Sequence, residues 1–137
     1  MQFIIKNIWF ILLALVSAGM LLWPMLRRGA IGIRDVTPAE AVIMINRERA
    51  IVLDVRENAE FAGGHITDAR NIPLAQLTSR LGELEKFRDK PIVINCQVGG
   101  RSASACALLK KQGFTKAVNL KHGIAAWIDA KLPVTRN

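Results

Sequence analysis

The sequence predicts an α/β domain with a mainly parallel sheet, preceded by one membrane-spanning helix. Three observations predict it. Short, continuous apolar runs, Ile51-Val52-Leu53-Asp54-Val55, Pro91-Ile92-Val93-Ile94-Asn95 and Ala117-Val118-Asn119-Leu120, read as strands buried on both faces. Stretches with helical spacing of apolar residues alternate with them, as parallel pairing requires. Finally, the 19 residues Ile8–Leu26, IWFILLALVSAGMLLWPML, carry no charge.

That last segment also explains an unusual composition. The 137 residues are 51% hydrophobic, yet 19 Lys and Arg against 11 Asp and Glu leave a net charge of +8. Residues 1–34 contain Lys6, Arg27, Arg28 and Arg34 and no acid, so half of the excess flanks the apolar run. The rest has the balance of an ordinary, mildly basic domain long enough for one core. The composition excludes a disordered or collagen-like chain. Two cysteines exclude a disulfide scaffold. With no aromatic residues interleaved among the bases, nucleic-acid binding is not expected.

As a helix, 19 residues span about 28 Å, close to the thickness of a hydrocarbon core. Trp9 and Trp23 lie near its ends, where interfacial rings sit. A cleavable signal peptide is the rival reading, with Val16 and Ala18 spaced as at a cleavage site. Against it, the apolar run continues eight residues past Ala18. The larger positive charge follows the span, which places the C-terminal domain on the cytoplasmic side of an inner membrane, single-pass. The expected organisation is an anchor over 1–28, a linker over 29–32 and a domain over 33–137.

Within the domain, Ile33-Arg34-Asp35-Val36 is a candidate first strand. Thr37-Pro38-Ala39-Glu40 opens a helix, with Thr37 as N-cap and Pro38 at the first helical position. Ala39, Val42 and Ile43 are its expected inner stripe. After the 51–55 strand, 58–62 reads as a helical turn ending at Gly63-Gly64. Leu74, Leu77, Leu81 and Leu84 have helical spacing. A helix is expected over 102–111, with Ser102 as N-cap, and another around Ile124, Trp127 and Ile128.

The stretch with chemical content follows the 91–95 strand: Cys96-Gln97-Val98-Gly99-Gly100-Arg101-Ser102. A cysteine at a strand end, a glycine-containing loop and a helix start together make an anion cradle, because loop and first-turn amides have no helical partner. Such a site stabilises a thiolate at Cys96, with Arg101 as a further source of positive charge. Gly99 and Gly100 allow unusual backbone torsions and close approach. A buried, inert cysteine at a strand end is the bland alternative, and the loop argues against it.

These residues resemble the C-x-x-G-x-R-S signature of the rhodanese family. Leu53-Asp54-Val55-Arg56-Glu57, Glu60-Phe61, Gly64-His65-Ile66 and Ala69-Arg70-Asn71-Ile72-Pro73 resemble its first block in order and spacing. Leu120-Lys121-His122-Gly123-Ile124-Ala125-Ala126-Trp127 resembles its closing block, with His122-Gly123 where the family commonly has Gly-Gly. The resemblance covers about residues 33–136. It implies a three-layer fold with helices on both sides of the sheet. It implies a sulfurtransferase that carries sulfur as a Cys96 persulfide, from a donor such as thiosulfate to cyanide or a thiol. Gln97, Val98, Gly99, Gly100, Arg101 and Ser102 are the expected binding residues. Only four residues separate Cys96 from Arg101, one fewer than in cysteine-dependent phosphatases, so the cradle suits sulfur better than phosphate.

Other residues carry weaker expectations. Asp54 and Arg56 leave the end of a buried strand and support the site. Glu57 and Glu60 read as solvated helix-end charges, Cys106 as a small buried hydrophobe. His65 has a structural role by the resemblance. No metal or cofactor is expected, because Cys and His show no ligand spacing. The second functional reading is a tethered interaction module that recruits a membrane protein or a sulfur-relay partner.

Overall fold

The structure, a computed structural model, describes residues 1–136, apart from the side chains of residues 27–31. The chain divides into two compact units, Met1–Gly32 and Ile33–Asn137. The first holds α1 (Gln2–Lys6) and α2 (Ile8–Ile31). Over Ile8–Leu26, α2 has a mean hydropathy of 2.1, is long and apolar enough to cross a membrane, and has no buried residue. The helix also runs through positions 29–31, where a linker was expected. Gly29 costs a helix only about 1 kcal/mol, less than the hydrogen bonds of a turn already propagating. Arg27 and Arg28, whose side chains carry the orientation argument, lie outside the described side chains.

The second unit contains β1 (Asp35–Val36), α3 (Pro38–Arg47), β2 (Ile51–Asp54), α4 (Asn58–Ala62), β3 (His65–Ile66) and β4 (Arg70–Asn71). Two 3₁₀ segments, Leu74–Gln76 and Thr78–Phe87, precede β5 (Ile92–Asn95), α5 (Gly100–Lys111), β6 (Ala117–Leu120), α6 (Gly123–Asp129) and β7 (Val134–Thr135). Five strands form one sheet in the order β1-β6-β5-β2-β4, every pairing parallel. β3 and β7 form a small antiparallel pair, His65 opposite Thr135. This is the expected three-layer α/β fold.

Alternation along the strands divides the core into two. Leu53, Ile92, Ile94 and Ala117 face α5 and the 3₁₀ segments, meeting Leu77, Leu84, Cys106 and Leu109. Val52, Val93 and Val118 point the other way, toward Ala41 and Met44 of α3 and Ile124 and Trp127 of α6. A central parallel strand therefore needs apolar residues in both phases, which is why β2, β5 and β6 lack polar–apolar alternation.

Three local expectations are corrected. The inner stripe of α3 is Ala41 and Met44, with Val42, as expected, and Ile45 partly buried against the same core, whereas Ala39 is exposed and Ile43 half exposed. Helical spacing recurs in several phases along an apolar helix, and only packing on the sheet selects one. The leucine series at 74–84 forms 3₁₀ turns, interrupted at Arg80, rather than an α-helix. A spacing of three fits both helix types, and burial of Leu77 and Leu84 is achieved by the tighter one. Finally, α5 begins at Gly100, so the N-cap position belongs to Gly99 and not Ser102.

Leu53 is wholly buried between β4 and β5. Leu53→Ala is expected to destabilise the domain by about 2–5 kcal/mol, read from urea titration of the detergent-solubilised chain. A loss below about 1 kcal/mol contradicts this packing.

Candidate active site

Cys96 follows the last residue of β5, the middle strand of the sheet, so it emerges at the carboxyl end of the strands. Loops in that position line the crevice of open α/β sheets. The loop 96–99 then turns into α5. Gly99 has φ +112°, and its N–H lies 3.0 Å from Cys96 Sγ. Gly100 already lies in the helix, so of the two glycines only Gly99 uses the left-handed freedom.

The loop's shape is fixed from behind. Ile124 N–H donates to the Cys96 carbonyl at 2.9 Å, and Ala125 N–H to the Gln97 carbonyl at 3.3 Å. The start of α6 can approach this closely because residue 123 is glycine. Gly123 has φ +62°, and a Cβ there would collide with the Cys96 and Gln97 carbonyl oxygens. His122 adopts φ +60° in the place where the family commonly has glycine, so the chain takes a left-handed turn there at some strain. With its carbonyls turned outward to α6, the loop turns N–H groups inward.

Cys96 is 1% exposed. Burial pushes its thiol pKa up. The hydrogen bond between the thiol and the Ser102 hydroxyl, with those from the Ser102, Gly99 and Val98 amides, outweighs burial, and the thiol lies below its ordinary value. Val98 takes part through its N–H; its side chain is 68% exposed and stands outside the cradle. Ser102 Oγ lies 3.3 Å from Sγ. Cys106 differs in every respect: buried in the core, its S–H donates to the Ala117 carbonyl, and burial pushes it up to about 11.

The charges are arranged differently from expectation. Arg101 does not face the thiol unpaired. Its guanidinium makes two hydrogen bonds to the Glu60 carboxylate, at 2.8 and 3.0 Å. That pairing, together with the N–H of Glu57, holds Glu60 down to about 2. Glu60 is therefore no solvated helix-end charge: it caps α4 and occupies the fork of Arg101. Its place in a capping box, Glu57-x-x-Glu60, is the sequence signal that fixes its direction.

Asp54 and Arg56 form a buried ion pair at 2.8 Å, reinforced by further Asp54 bonds to the Arg56 N–H and to Asn95. Arg56 also donates to the Gly64 carbonyl at 2.7 Å and reaches Gln97 Oε1 at 3.5 Å. Asp54 holds Arg56, and Arg56 ties the Gly64 turn to the loop. His65 stacks on Phe61 and bonds its carbonyl, the structural role expected of it. A cleft of about 310 Å³ opens here, lined by Arg56, Glu60, Gln97, Ile128, Val134 and Arg136. Among the described residues, no three His, Cys, Asp or Glu cluster as metal ligands do.

Comparison with known proteins gives this geometry its class. Residues 37–130 match the rhodanese-like domain. A sulfurtransferase from Allochromatium vinosum is 40% identical over 91 residues, covering 66% of this chain and 83% of that protein. The uncharacterized protein YibN of Escherichia coli K12 is 34% identical over 105 residues, 76% of this chain and 73% of its own length. The crystal structure of a rhodanese-related protein from Thermoplasma volcanium superposes with a TM-score of 0.67 at 35% identity, covering 76% of this chain and 99% of that one. The chain belongs to the rhodanese family. Membership supports a sulfurtransferase-type function.

The Arg101–Glu60 pair has a predictable pH signature. A carboxylate held low when folded stabilises above its unfolded value, about 4.5, and loses that contribution as pH falls toward about 2. Glu60→Gln, which keeps the cap, is expected to lower the urea midpoint at pH 7, and the gap should narrow steadily below about pH 4.5. A gap equal at pH 7 and pH 3 contradicts the pairing.

Proposed function

We propose that the chain is a membrane-anchored sulfurtransferase acting through a persulfide on Cys96. The observation that carries this reading is a buried thiol, lowered in pKa, facing the Gly99 N–H and the Ser102 hydroxyl in a four-residue-spaced loop. The Cys96 thiolate attacks the outer sulfur of a donor, and the donor's S–S bond breaks. Thiosulfate would leave as sulfite, a persulfide donor as its thiolate. The outer sulfur stays on Cys96, its negative charge held by the inward amides of the loop. An acceptor thiolate or cyanide then attacks that sulfur and regenerates the Cys96 thiolate. Two displacements give ping-pong kinetics.

Arg101 supports folding of the loop rather than capture of an anion, because Glu60 neutralises it. Gln97, Gly99 and Gly100 add no charge to the cradle. We therefore infer weak binding of thiosulfate, with a KM above about 1 mM, and an organic or protein persulfide as the better donor. Glu60→Gln, which frees Arg101, is expected to lower the thiosulfate KM several-fold; an unchanged KM removes Arg101 neutralisation as the cause.

Loading is read by intact mass. The full chain in detergent, exposed to a sulfane donor, is expected to gain about 32 Da, lose it to cyanide, and gain nothing as Cys96→Ser. No gain from any sulfane donor overturns the enzymatic reading in favour of the tethered interaction module.

The anchor, Ile8–Leu26, is proposed to leave the catalytic domain at the cytoplasmic face, since Arg27, Arg28 and Arg34 follow the span and only Lys6 precedes it. In bacterial spheroplasts, added protease is expected to spare the domain until the membrane is opened. Digestion of the domain in sealed spheroplasts contradicts that orientation.

A further inference from the structure

Ser102 has one hydroxyl proton and three acceptors around it. Its Oγ lies 3.1 Å from the Gly99 carbonyl, 2.5 Å from Asn119 Oδ1 and 3.3 Å from Cys96 Sγ. Which acceptor receives the proton is settled one residue further away. Asn119 extends its other side-chain atom, Nδ2, to Asp35 Oδ1 at 2.9 Å. An ionised carboxylate only accepts, so it must face the amide's NH₂ group. Asn119 therefore turns its carbonyl oxygen to Ser102, and a carbonyl oxygen only accepts. Ser102 must be the donor, and at 2.5 Å this is its shortest contact.

We propose that Asp35, on the edge strand β1, is a positioning residue that directs the Ser102 proton away from Cys96 and so opposes ionisation of the thiol. At rest, Ser102 presents a lone pair to Sγ, and the thiol S–H donates into it. When Cys96 gives up its proton to solvent, that lone pair faces a negative sulfur. The Ser102 proton must then swing from Asn119 to Sγ. Asn119, which is buried, loses its donor in the process. The hydroxyl therefore helps the thiolate only at the expense of the Asp35–Asn119 pair. The effect crosses β1, β6 and α5 to the end of β5, although Asp35 is exposed and lies 84 residues from Asn119 in sequence.

An amide in place of Asp35 changes the logic of the chain. It can donate to Asn119 Oδ1, Asn119 can turn its NH₂ to Ser102, and the Ser102 proton is free for Sγ. The charged groups coupled to the thiol, Arg101 and through it Glu60, are untouched by that change.

The test follows alkylation of Cys96 by iodoacetamide in the full chain in detergent, from pH 6 to 10, with adducts located by peptide mass. Asp35→Asn is expected to move the profile to lower pH and to raise the rate at pH 7 about fivefold, the scale of one net hydrogen bond. Asn119→Leu, which removes the acceptor, should shift it in the same direction, and Asp35→Glu should leave it in place. In a Ser102→Ala background, Asp35→Asn should have no further effect. Absence of labelling at Cys106 verifies that each variant is folded. An unchanged profile in Asp35→Asn and Asn119→Leu overturns the proposal. So does a shift that persists undiminished without the Ser102 hydroxyl, because that is the Coulombic effect of deleting a carboxylate. The proposal rests on Cys96 as the attacking thiol, but alkylation reads ionisation whether or not sulfur is transferred, so the two readings fail separately.

Discussion

The contact on which the site depends is between two backbones. Ile124 and Ala125 donate to the carbonyls of Cys96 and Gln97, and those bonds decide which way the loop's peptide planes face. Carbonyls turned out to α6 leave amides turned in to the sulfur. The contact needs a residue without a Cβ at 123, a left-handed His122 and a strand, β6, that ends level with β5. The sulfur itself is met by Ser102, Gly99 and Val98 and not by these groups. They nonetheless determine whether Cys96 sits among donors or merely at the end of a strand.

Around that loop the charges are arranged for rigidity. Asp54 and Arg56 lie buried as a pair, and such a pair is worth little net stability against an apolar substitute. Its value is positional. Arg56 spans from β2 to the Gly64 carbonyl and Gln97, so one guanidinium registers three segments. Removing Asp54 alone would strand a buried cation, which costs far more than the pair contributes. Glu60 pairs with Arg101 at the start of α5, both side chains partly exposed, and so links α4 to α5. The outcome is a cradle whose donors are dipoles of fixed direction rather than free cations, a setting suited to spreading charge on a bound sulfur.

Much of this was legible in the residues, and the limits have physical reasons. β2, β5 and β6 were visible because central parallel strands are continuous apolar runs, and Cys96 was visible because a strand, a glycine and a helix start coincide. β4 and the β3–β7 pair were not, since two-residue strands leave no periodic trace. The inner face of α3 was missed because its phase is set by the sheet. Glu60 was missed because its partner lies 41 residues away, and Asp35 because it acts through Asn119 and Ser102 in succession. Long-range polar pairing is where local pattern gives out: each residue, taken with its neighbours, looks like a solvated charge.

Whether the loop holds a sulfur atom is decided by a crystal structure of the sulfur-loaded chain. A second sulfur is expected, bonded to Cys96 Sγ, inside the loop and within about 3.5 Å of two or more of the N–H groups of residues 98–102. A sulfur bonded to Cys96 but turned out of the loop, or one carried by Cys106 instead, would contradict it.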